Sequence, residues 1–111
     1  MELPSVVRFV QERVKEEFYS LESGDGFQRD LFKQIDQALD EIETNAFCGI
    51  QIPKHLIPKE YFVKFGIHNL WKLNLPESWR LIYSIESDDK VVVSKIIGWL
   101  SHKEYERKFN Y

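Results

Sequence analysis

Two periods divide the chain. From Phe27 to Glu43 the apolar residues Leu31, Ile35, Leu39 and Ile42 recur at three- and four-residue steps. That spacing predicts a helix with one apolar face, and the outer positions are largely acidic. Thr44-Asn45 ends it, because Asn tolerates a left-handed helix end. Ahead of it, Ser23-Gly24-Asp25-Gly26 is a break. The opening stretch fits two patterns. Val7, Val10, Val14, Phe18 and Leu21 suit one helix from about Pro4, while the alternation around Val6 to Val10 suits a short strand followed by a helix from Glu12.

Residues 46–69 are irregular. Pro53 and Pro58 flank Lys54-His55-Leu56-Ile57, and Lys59 to Phe65 reads as a short helical turn closed by Gly66. The period then changes to two. Leu70, Lys72 and Asn74 alternate with Trp71, Leu73 and Leu75; after a turn at Pro76-Glu77-Ser78, Trp79, Leu81, Tyr83 and Ile85 alternate with Arg80, Ile82 and Ser84. A second turn, Ser87-Asp88-Asp89-Lys90, leads into the β-branched run Val91 to Ile97. Three strands joined by two short turns predict an antiparallel meander. Ser101 with Glu104 three residues on is a capping box, opening a last helix that carries His102, Lys103, Tyr105, Arg107, Lys108 and Phe109. The expected architecture is α+β: a small antiparallel sheet with helices packed on one face, in a single domain spanning 1–111.

Composition narrows the function classes. With 111 residues, 43% hydrophobic and 30% charged, the chain is a globular domain and not a disordered tail. No apolar run approaches the ~18 residues of a membrane span, and the opening Met1-Glu2-Leu3-Pro4 lacks the basic and apolar regions of a secretory signal. Cys48 is the sole cysteine, which excludes a disulfide and a Cys-based zinc site within one chain and suggests a reducing, cytoplasmic setting. His55 and His68 are too far apart to suggest a metal site. The net charge of −3 disguises an asymmetry: residues 1–45 sum to −6 and residues 46–111 to +3. The front half is expected to present an acidic surface suited to a partner, the back half a basic one suited to an anion.

The segment Leu70-Trp71-Lys72-Leu73-Asn74-Leu75, a turn, then Trp79-Arg80-Leu81-Ile82-Tyr83-Ser84-Ile85 resembles the central hairpin of the RelE/ParE superfamily of toxins, and His102-Lys103-Glu104-Tyr105 resembles that family's C-terminal His/Arg…Tyr segment. The resemblance covers residues 46–111 and extends to the two preceding helices by order and length. It implies the order β-α-α-β-β-β-α, with Ser5 to Val10 as the first strand.

It also implies a function. The ribosome-dependent members of the family are endoribonucleases that cut mRNA by letting a ribose 2′-OH attack its own phosphate. That chemistry asks for cations around the phosphorane, a proton carrier and a group that orients the nucleotide. On this pattern Arg80 would stabilise the phosphate, His102 would act as general acid or base, and Tyr105 would stack on or activate the nucleotide. Lys72, Lys95, Lys103 and Arg107 would contact the RNA, Lys72 sharing a face with Arg80 only if the hairpin register allows it. No cofactor and no metal is implied. The implied partners are a cognate antitoxin and the ribosome with its mRNA, and no membrane. Two alternatives carry the same fold: a ParE-like toxin that poisons gyrase through protein contact, and an inactive binding protein.

Overall fold

The computed structural model of the chain describes residues 2–88 and 90–109, so Asp89 of the expected second turn lies outside the described residues. The protein is α+β. In chain order it runs β1 (Val6–Phe9), α1 (Glu12–Leu21), α2 (Gly26–Thr44), β2 (Ile50–Gln51), α3 (Lys59–Phe65), β3 (Trp71–Asn74), β4 (Arg80–Asp88), β5 (Val91–Leu100) and α4 (His102–Phe109). Of the two patterns open for the first twenty residues, the chain adopts a strand followed by a helix. Two elements stand beyond the expected order: the short strand β2, and α3 as a formed helix whose end at Gly66 is left-handed (φ +61°).

The strands lie in the order β1-β5-β4-β3-β2. The β3, β4 and β5 meander is antiparallel, but β1 runs parallel to β5, with Val6 opposite Val93 and Phe9 opposite Ile96. The sheet is therefore mixed, and the expectation of an antiparallel one is corrected. The reason is that β5 would otherwise be a bare, β-branched edge, and β1 covers it.

The expectation that helices cover one face is corrected too. Leu81, Tyr83 and Ile96 face a core built with Phe18 of α1 and Leu31, Ile35, Ala38 and Ile42 of α2, with Leu39 packed at its margin. Ile82 and Ile97 face a second core with Tyr61 of α3 and Tyr105 and Phe109 of α4. β4 is apolar at both parities from Leu81 to Tyr83, so both of its faces need cover. β5 also serves both faces, and a bulge shifts its parity there: Ile82 is opposite Gly98 and Tyr83 opposite Ile96, which leaves Ile97 as the extra residue.

Local chemistry sets the boundaries. Asp25 and Gln28 form a reciprocal capping box at the start of α2, with bonds of 2.9 and 3.0 Å. Asn45 does not end α2 in the left-handed region; its backbone is extended (φ −150°), and its side-chain oxygen accepts from the Leu3 and Phe47 N–H groups instead. That acceptor ties the chain ahead of β1 to the end of α2.

The turn between β3 and β4 places Glu77 and Ser78 in the left-handed region, at φ 60° and 69°. Each non-glycine residue there costs about 1 kcal/mol. Ser78 is exposed, so Ser78→Gly loses no packing. It is expected to raise stability by about 1 kcal/mol, seen as a higher denaturant midpoint; a lower midpoint would contradict the strain.

Candidate functional site

Arg80 is the first residue of β4, directly after that turn, opposite Asn74 on β3 and Leu100 on β5. β5 ends at Leu100 and α4 starts at His102, so the sheet hands the chain to the helix beside Arg80. The register settles where Lys72 lies. Lys72 is opposite Ile82 and Asn74 opposite Arg80, so all four residues share the face that packs against α3 and α4.

On that face three of the expected residues come together around a fourth. The Arg80 Nη2 lies 3.2 Å from His102 Nδ1 across 22 residues of sequence, while its Nη1 donates to the Trp79 carbonyl at 3.2 Å. The Tyr105 ring, one helical turn beyond His102, lies beneath both cations: Lys72 Nζ is 4.7 Å and Arg80 Cζ 5.9 Å from its centroid. Both are within cation–π range. Tyr105 is only 3% exposed and stacks on Phe109 at 4.7 Å. In this arrangement its ring offers no open face to a base. The sequence-based expectation of a stacking tyrosine is replaced by a ring that seats two cations.

His102 has both nitrogens engaged. A guanidinium only donates, so Nδ1 accepts from Arg80 and the proton of the neutral ring sits on Nε2. Nε2 in turn meets the Glu106 carboxylate, one helical turn on. Sequence reasoning missed Glu106, although its four-residue spacing from His102 on a helix was legible.

The remaining expected contacts separate from this cluster. Lys95 is opposite Ser84, four residues along β4 from Arg80, which at strand rise is about 13 Å away. It forms an ion pair with Glu86 at 3.0 Å. Lys103 and Arg107 are exposed on α4, one position round the helix from His102 and Glu106. Two cations of the basic half have carboxylate neighbours from that same half: Lys108 lies 3.9 Å from Glu60 and Lys95 3.0 Å from Glu86.

The cap of α4 fixes where His102 stands. Ser101 N–H donates to Glu104 Oε1 at 3.0 Å, and Glu104 N–H donates to Ser101 Oγ at 3.3 Å. The Ser101 backbone bond holds the Glu104 carboxyl below its ordinary value, against the opposing effect of burial, with help from Arg107 and Lys108. A carboxyl lowered by folding adds stability above its ordinary pKa, and that stability is lost as pH falls through the lowered value. The protection of the Glu104 and Tyr105 amides, corrected for the intrinsic exchange rate, should therefore fall as pH drops below the ordinary glutamate value of about 4, while the sheet stays protected. Equal protection of the first turn of α4 at neutral and acid pH would contradict this.

Among the described residues, no group of three or more His, Cys, Asp or Glu side chains is placed to hold a metal ion, and no helix is long and apolar enough to cross a membrane. Compared with known protein families, curated proteins and solved structures, the chain matches none.

Proposed function

We propose that this chain is a RelE-like toxin with the RelE/ParE fold, an endoribonuclease that cuts mRNA on the ribosome and is held in check by a cognate antitoxin. The observation that carries the reading is the contact of Arg80 with His102 at 3.2 Å, with Lys72 seated on the same Tyr105 ring. Two cations and an imidazole on one partly open face suit a phosphodiester better than any neutral ligand. The sequence resemblance at Trp79 to Tyr83 and at His102 to Tyr105 points to the same residues.

The roles follow from the chemistry. Arg80 grips the scissile phosphate through its guanidinium and meets the charge of the phosphorane. Lys72 supplies a second positive charge. His102 moves the proton. Tyr105 positions both cations from beneath. Lys103 and Arg107, exposed on α4, would contact the flanking RNA, and Lys95 would do so only for RNA that reaches about 13 Å along β4 from Arg80. The acidic surface of α1 and α2 suits a basic antitoxin segment, and the enzyme would work in the cytoplasm, where its ribosomes are.

The test is expression in a bacterial host, with wild type beside Arg80→Ala. The reading expects growth arrest and loss of protein synthesis with wild type, and growth with the variant. Arrest by both proteins, accompanied by a DNA-damage response and intact mRNA, would replace it with the gyrase-poisoning reading. Harmless wild type would leave a binding protein.

A further inference from the structure

In the free protein neither nitrogen of His102 faces an open site: Arg80 Nη2 holds Nδ1 and Glu106 holds Nε2. A proton carrier in that position has to be released before it can act. The two holds differ in kind. Arg80 has a stronger partner available in any phosphate, because a guanidinium prefers a dianionic or monoanionic oxygen pair to the lone pair of a neutral imidazole. Glu106 has no such competitor, since an anionic substrate is repelled by it.

We infer that Glu106 is a positioning residue and that His102 works through Nδ1, unmasked when substrate phosphate draws Arg80 away. This rests on the nuclease reading above. Glu106 keeps the Nε2 proton and the ring orientation throughout, and its charge favours the imidazolium that forms. The other charged groups at this place are Arg80 on β4, in contact with the ring, and Lys72 on β3 through the shared Tyr105 ring; on α4 itself Lys103 and Glu104 follow His102 in sequence, with the Glu104 carboxylate turned to the Ser101 N–H.

The step balances as follows. Nδ1 takes the proton of the 2′-OH, and the 2′-oxygen forms its bond to phosphorus. The bond from phosphorus to O5′ breaks, and its electron pair leaves on O5′. O5′ takes a proton from water, and the resulting hydroxide is neutralised by the Nδ1 proton of the imidazolium. The products are a 2′,3′-cyclic phosphate and a 5′-hydroxyl, with His102 neutral again.

Nitrogen-15 NMR of histidine-labelled protein reads this directly, with His102 assigned against His55 and His68 by a His102→Gln control. At a pH where the ring is neutral, the free protein should show a proton on Nε2 and none on Nδ1. Saturation with inorganic phosphate should then move the Nδ1 resonance and leave Nε2 in place, and Arg80→Ala should abolish that response. A proton on Nδ1 in the free protein, or an Nδ1 resonance unmoved at phosphate saturation, overturns the inference. In ribosome-programmed mRNA cleavage, Glu106→Ala should lose about ten- to a hundredfold in rate, the scale of a misplaced reacting group. Glu106→Gln keeps an acceptor oxygen for Nε2–H but loses the charge that favours the imidazolium, so its rate should fall between those of wild type and Glu106→Ala. If mRNA is cut and Glu106→Ala cuts as fast as wild type, the inference fails and the nuclease reading stands. If the phosphate response is seen and wild type cuts no RNA, the nuclease reading fails and the Arg80–His102 exchange stands.

Discussion

Arg80→Lys is expected to fold as wild type does and to lose about a hundredfold in mRNA cleavage. The charge survives this change, so simple attraction of RNA is largely kept. What goes is the planar fork, which offers two parallel N–H donors to a phosphorane. A lysine offers a single point of charge and cannot copy that grip. Loss of one such contact in the transition state is worth roughly 3 kcal/mol, which sets the hundredfold figure. Folding should tolerate the change, because the Arg80 side chain is only half-buried, lies over the Tyr105 ring where a lysine also fits, and makes a local bond to the Trp79 carbonyl. The measurement is the single-turnover rate beside a thermal melt. A rate within threefold of wild type would show that Arg80 contributes charge alone.

The other large effect is expected at Tyr105. Tyr105→Ala should cost about 3–5 kcal/mol of stability, the usual range for a buried aromatic truncated to alanine. It removes a 3% exposed ring from a core shared with Tyr61 and Phe109, and it removes the seat beneath Lys72 and Arg80. Against a total of about 5–15 kcal/mol for a domain, that is a large fraction. Cleavage should fall with it even at temperatures where the variant remains folded. Tyr105→Phe separates the two views of this residue. It keeps the ring, so a seating role predicts cleavage within about threefold of wild type. A fall of a hundredfold in a stably folded Tyr105→Phe would give the hydroxyl the chemical role and contradict the seating account.

The parts of the molecule that could be read from the sequence are those whose signal is local. α2 announces itself through Leu31, Ile35 and Ile42 and through the break at Ser23 to Gly26. The cap of α4 is written in Ser101 and Glu104. The turn at Pro76 to Ser78 is marked by Pro76. What stayed hidden depends on pairing between distant segments. β2 is only two residues long and exists because Ile50 and Gln51 lie against Lys72 and Trp71, which no propensity encodes. The parallel pairing of β1 with β5 is likewise a matter of topology. The second core was foreshadowed by apolar residues at both parities of β4, a signal that a search for simple alternation passes over.

The site divides the same way. Arg80, His102 and Tyr105 were implied by the resemblance at the hairpin and at the start of α4, not by residue type, and the structure brings them together with Lys72 because the hairpin register puts Lys72 and Arg80 on one face. Lys95 could not be sorted from them by sequence, since its distance is set by how far along β4 its partner Ser84 stands. A packed Tyr105 ring could be anticipated from the sequence, but not its partners, Phe109 of its own helix and Tyr61 of α3 in the same cluster.

Cutting of RNA at this face is read most plainly in the chemistry of the cut ends. Purified wild-type protein is added to ribosomes stalled on a defined mRNA, and the fragments are mapped by primer extension and by mass. A break is expected within the codon in the ribosomal decoding site, leaving a 2′,3′-cyclic phosphate upstream and a 5′-hydroxyl downstream, with no break when Arg80→Ala is used. Intact mRNA after incubation with a stoichiometric amount of folded wild-type protein would contradict it.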